Sequence, residues 1–116
     1  MTTETRRRLL AALESCDTIR RYTDGIDFAW YLRDGEKRDA VERRLSIIGE
    51  ALHRAAALDP ALVEQLPELR QIGGLRNRVI HGYADVNAEI VWDIVQNKRP
   101  PLQARLSDLL GEETPQ

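Results

Sequence analysis

Apolar residues recur at three- and four-residue intervals in every stretch of this chain between glycine and proline breaks. That period is the signature of helices with one buried face, and it constrains the fold more than any other feature. Leu9, Leu13, Cys16 and Ile19 line one stripe of a helix from about Glu4 to Tyr22. Thr23-Asp24-Gly25 reads as its stop. Asp27 is placed to cap a short helix carrying Phe28, Trp30, Tyr31 and Leu32, and Asp34-Gly35 reads as a further break. Val41, Leu45, Ile48, Leu52 and Ala55 or Ala56 predict a long helix from about Lys37 to Leu58. Asp59-Pro60 ends it, because a residue before proline is pushed out of the helical region. Pro60 suits the first turn of a short helix through Leu66. Pro67 suits the first turn of the next, which carries Leu69, Ile72, Leu75 and Val79 and stops near Gly82. Asn87 reads as a cap before Ile90, Val91, Ile94 and Val95. Pro100-Pro101 predicts the start of a last helix with Leu102, Leu106, Leu109 and Leu110, ended by Gly111. Alternating β-branched runs are absent and aromatics are only 5%. The expected fold is an all-α antiparallel bundle of four to five main helices. The 116 residues suit one domain over 1–116, with 111–116 a frayed tail.

The formal charge of -2 argues against a general polybasic coat, but the charge is unevenly spread. Residues 34–69 hold eight acids against five bases, whereas residues 70–83 hold Arg70, Arg76 and Arg78 and no acid. Arginine suits phosphate because its planar fork can bind two oxygens at once. A single cysteine, Cys16, excludes an intrachain disulfide. No apolar run approaches a membrane span or a signal-peptide core, so a cytoplasmic protein is expected, with no membrane partner.

The basic stretch is also the most informative: Gly73-Gly74-Leu75-Arg76-Asn77-Arg78-Val79-Ile80-His81-Gly82-Tyr83. Two adjacent glycines cost a helix roughly 1 kcal/mol each relative to alanine. They mark either a helix break or a place where another backbone comes close. Arg76 and His81 are five residues apart, about 140° around an ideal helix. Either the arginine reaches around, or the backbone departs from ideal geometry near Gly82. A histidine near a helix C-terminus can compensate the helix dipole or act as a catalyst. The chemistry that fits Arg, Asn, His and Tyr together is phosphodiester cleavage without a metal. RNA supplies its own nucleophile, the 2′-hydroxyl. A histidine titrating near neutrality can take that proton or protonate the leaving oxygen. An arginine can stabilise the charge on the transition state, and Asn77 could position a phosphate or the imidazole. No P-loop or dinucleotide fingerprint is present. Cys16, His53 and His81 are too scattered to read as a zinc set, so no metal or cofactor is expected.

Arg76-x4-His81-x-Tyr83, with Asn77 after the arginine, resembles the signature of HEPN-domain ribonucleases, in particular the HepT-like toxins. Arg44-Leu45-x-Ile47-Ile48-Gly49-Glu50-Ala51 is similar to the family's other recurrent segment. Leu66-Pro67, Ile90-Val91-Trp92-x-Ile94-Val95 and Pro100-Pro101-Leu102 also match, so the likeness covers roughly residues 5 to 110. Family members often carry tryptophan directly after the proline before the motif helix, where this chain has Glu68. That position reads as structural. The resemblance implies a homodimer whose motif helices line a shared cleft. It implies a metal-independent endoribonuclease toxin of a type VII-like toxin–antitoxin pair, acting on tRNA or mRNA, with a minimal nucleotidyltransferase as antitoxin. It further implies that the antitoxin can attach adenylate to the motif tyrosine, here Tyr83.

Arg76 and His81 are thus the expected catalytic pair, with Asn77, Arg78 and Glu50 in support. Glu50 could reach Arg76 or Arg78, or could form an ordinary surface ion pair. Gly49 reads as a close helix crossing, His53 as structural and Trp92 as packing. Trp30 and Tyr31 read as core or dimer packing more readily than as base-stacking groups. A competing function is a non-catalytic helical companion that binds a nucleotidyltransferase and its substrate.

Overall fold

The computed structural model describes residues 1–69 and 87–112, with Glu112 described by its backbone alone. The described residues form helices and no strands. Helix α1 (Thr3–Thr23) starts at the Thr2 cap, whose hydroxyl accepts from the Thr5 N–H. It ends at Thr23, and Gly25 follows with φ +77°, a conformation that favours glycine. Helix α2 (Phe28–Arg33) is capped by Asp27, as the sequence reads. The long helix α3 (Gly35–Leu58) begins earlier than expected. Asp34 alone forms the break: it closes α2, and its carboxylate accepts from the Lys37 N–H to open α3. Gly35 therefore lies inside the helix. A four-residue helix α4 (Leu62–Gln65) follows.

Beyond Asn87, whose side chain accepts from the Glu89 and Ile90 N–H groups, helix α5 (Ala88–Asp93) runs without interruption into a π-helical turn, Ile94–Lys98. That turn continues directly into α6 (Arg99–Glu112). This corrects the reading of Pro100-Pro101 as the start of a separate helix. A proline ring clashes with the carbonyl four residues back and offers no N–H. The wider turn moves past that conflict: the Arg99 N–H bonds to the Ile94 carbonyl, five residues back. The Val95 carbonyl then faces Pro100, which has no proton to give. The Arg99 side chain fills the gap, its Nε donating to Val95 O at 3.1 Å. Gly111 sits within α6, where the sequence expects a stop.

Helix α1 is packed between α3 and α6. Lys37 at the start of α3 lies over the Tyr22 ring at the end of α1, and Arg6 near the start of α1 donates to the Leu110 carbonyl near the end of α6. Both neighbours therefore run antiparallel to α1. The buried line on α1 is Thr5, Leu9, Ala12, Cys16, Ile19 and Thr23, a four–three alternation. Val41, Leu45, Ile48, Leu52 and Ala55 repeat that alternation on α3. Ala12 is fully buried where the sequence points to Leu13, which is only half-buried. The small side chain suits a helix pressed from two sides. Tyr31 is fully buried, and its ring lies 5.0 Å from Trp92, which also meets Phe28 at 6.1 Å. These contacts dock α2 on α5. The reading of Tyr31 as packing holds, whereas Trp30 is exposed beneath the Arg33 guanidinium.

Candidate active site

The site expected from sequence divides in two. Arg76, Asn77, Arg78, His81 and Tyr83 fall in residues 70–86, outside the described residues. So do Gly73, Gly74, Ile72, Leu75 and Val79. Glu50, the remaining member, is described.

Both flanks of that segment are held by the bundle. On the N-terminal side Leu66 is fully buried, and its carbonyl accepts from the Leu69 N–H at 3.0 Å. Glu68 is buried beside it and bonds to Arg105 Nε on α6 at 2.9 Å. Its second oxygen, Oε2, is buried without a hydrogen-bond partner among the described residues. Arg105 is half-exposed, so the pair is buried on the Glu68 side only, and solvent reaches the guanidinium. In the sequence Glu68 reads only as a departure from a tryptophan. Its long-range partner has no local signal. On the C-terminal side, Asn87 opens α5, and Val91 is fully buried one turn later.

Glu50 projects from α3 and its side chain is about one-third exposed. Its Oε1 accepts from Arg54 Nε at 2.7 Å, an i to i+4 pair along the helix. Glu50 also borders a groove between α1 and α3, whose walls include Arg8 and Arg43. Gly49 beside it is buried, in keeping with a crowded face of α3.

The other titratable candidates are Cys16, His53 and Tyr31. Cys16 is fully buried, and burial pushes its thiol up to about 12, so it is neither a ready nucleophile nor a ready ligand. His53 is exposed on α3, a correction to its reading as a structural residue. Burial also pushes the Tyr31 phenol well above its ordinary value, and its hydroxyl has no hydrogen-bond partner among the described residues. Among the described residues no helix is long and apolar enough to cross a membrane.

A family model described as ribonuclease HepT-like matches residues 12–109. The chain belongs to the HepT-like ribonuclease family. A Methanocaldococcus jannaschii protein that carries an RNase name is 33% identical over 107 residues, covering 87% of this chain and 86% of the relative. A protein of Thermococcus cleftensis designated a probable ribonuclease HepT is 30% identical over 96 residues, covering 83% of this chain and 86% of the relative. A third relative, an RNase by name from Caldanaerobacter subterraneus subsp. tengcongensis, is 29% identical over 101 residues. No solved structure matches the chain significantly. Membership in the HepT-like family makes this chain a ribonuclease by class, with RNA as its substrate class.

Proposed function

We propose that the chain is a metal-independent endoribonuclease that acts as the toxin of a type VII-like toxin–antitoxin pair in the cytoplasm, as one domain over 1–116. The observation that carries this reading is a family match that spans the Arg76-x4-His81-x-Tyr83 segment. The 2′-oxygen of a ribose attacks the adjacent phosphorus and gives up its proton. The 5′-oxygen leaves and takes up a proton. This yields a 2′,3′-cyclic phosphate and a 5′-hydroxyl. Neutral His81 can accept the first proton, and the imidazolium can supply the second. Arg76 stabilises the charge that builds on the phosphoryl oxygens. Asn77 and Arg78 orient the phosphate, and Glu50 supports the arginines from α3.

Two copies of the motif in a homodimer would bring six arginines together, an arrangement that favours a polyanion such as tRNA or mRNA. Tyr83, two residues past His81, is the point at which a minimal nucleotidyltransferase antitoxin silences the enzyme. Adenylate there would place a phosphate among the arginines in competition with the RNA.

The test is RNA cleavage in EDTA by wild type and by His81→Ala. Wild type should cut without metal, and the variant should lose about 10²–10⁴-fold while its circular dichroism is unchanged. A folded His81→Ala protein that cuts at the wild-type rate would overturn the mechanism. Co-expression with a cognate nucleotidyltransferase should leave adenylate on Tyr83 by mass spectrometry, and Tyr83→Phe should escape silencing.

A further inference from the structure

The groove between α1 and α3 has a volume of about 530 Å³, within the range of small-ligand sites. Arg8 stands on the α1 wall and Arg43 on the α3 wall. Between them the lining residues Ala11, Ser46 and Ala51 are short, and Ile47 adds an apolar surface.

The charges of this groove do not cancel. Glu4 is shared by Arg7 at 3.2 Å and Arg8 at 3.0 Å, so one carboxylate serves two cations. The groove's own acid, Glu50, is engaged by Arg54. Arg43 is exposed and makes no hydrogen bond or ion pair among the described residues. Elsewhere on α1, Arg20 and Arg21 both bond to Asp17. Arg43 therefore offers an unengaged guanidinium fork at the mouth of a positively charged cleft, and Ser46 adds a hydroxyl. That donor set matches a phosphodiester: two oxygens for a bidentate arginine, a second cation opposite, and a ribose edge against Ile47.

The geometry points to the α1–α3 groove as an anchoring site for a phosphodiester of the RNA strand, with Arg43 as its principal contact and Arg8 and Ser46 in support. This site lies on residues outside the motif segment. It deepens the ribonuclease reading and rests on it for the identity of the ligand. Contacts of this kind position a strand without reading its sequence. The anchor should therefore act on affinity for any RNA, and on KM more than on kcat.

The experiment uses the full chain and a fluorescent single-stranded 2′-O-methyl RNA, which keeps the phosphates but lacks the nucleophile. Anisotropy is measured across a salt series for wild type, Arg43→Ala and Arg20→Ala. Arg43→Ala should bind about tenfold more weakly at low salt, with the slope of log affinity against log salt reduced by about 1. Arg20→Ala, outside the groove, should match wild type. Equal binding and equal slope for Arg43→Ala would overturn the anchor. A change of molar mass in light scattering on Arg43→Ala would also overturn it, since the groove would then be an interface between copies. The two readings fail separately. Wild type that binds through Arg43 but cuts no unmodified RNA keeps the anchor and loses the proposed activity. Wild type that cuts RNA, beside an Arg43→Ala variant with unchanged KM and anisotropy, keeps the activity and loses the anchor.

Discussion

The α1–α3 pair and the rod from Ala88 to Glu112 are both helical, but they are held by different means. In the pair, the same four–three alternation runs along both partners, and each backbone hydrogen bond is local. In the rod, Pro100 and Pro101 sit in the middle of a continuous helical path. The backbone stays helical there by widening one turn and borrowing a side-chain donor from Arg99. A regular helix needs only its own pattern. A helix carried through prolines needs a specific residue beside the defect, and a buried face worth keeping in line. The rod has such a face in Val91, Val95, Leu102 and Leu106, all fully buried.

The largest test of the contrast is Leu45→Ala, in the regular pair. Leu45 is 1% exposed between helices that cannot close the gap without shifting both. Its truncation should cost about 2–5 kcal/mol by denaturant unfolding, with the far-ultraviolet spectrum below the transition preserved. A loss under about 1 kcal/mol would mean that the pair repacks freely and is not the rigid half. Arg99→Leu tests the rod. It keeps a long apolar stem but leaves the Val95 carbonyl without its donor, so about 1–3 kcal/mol should be lost. Adding Pro100→Ala should recover part of that loss, because an N–H becomes available again. No loss in Arg99→Leu would assign the π turn to packing alone.

The smallest effect is Glu42→Gln, on α3. Burial first, then the neighbouring Asp39, holds the Glu42 carboxyl above its ordinary value, against a smaller opposing pull from Arg38. The folded chain thus favours the protonated acid. Its contribution is most favourable at acidic pH and is lost as the pH rises through the raised value. Glu42→Gln should therefore gain on wild type as the pH goes from about 4 to 7. Solvent screening keeps the gain below about 1 kcal/mol. A variant that loses ground to wild type over that range would reverse the sign of the assignment.

By itself the sequence determined the all-α class, most of the helix starts among the described residues, and the family. The caps at Asp27 and Asn87, the turn at Gly25 and the stripe of α3 all depend on neighbours within four residues, and such interactions can be read along the chain. The proposed site residues rest on the sequence alone. Arg76, His81 and Tyr83 are read from residue type, spacing and resemblance, and they lie outside the described residues. Only the tertiary structure decided that Ala12 rather than Leu13 faces the core, that Glu68 is tied to Arg105, and that Arg8 and Arg43 face one groove. It also decided that two prolines extend a helix instead of starting one. Each of these depends on which surfaces meet across the bundle. A helical pattern fixes the direction a side chain takes around its own axis, but what stands opposite is set by the packing of residues far apart in the chain.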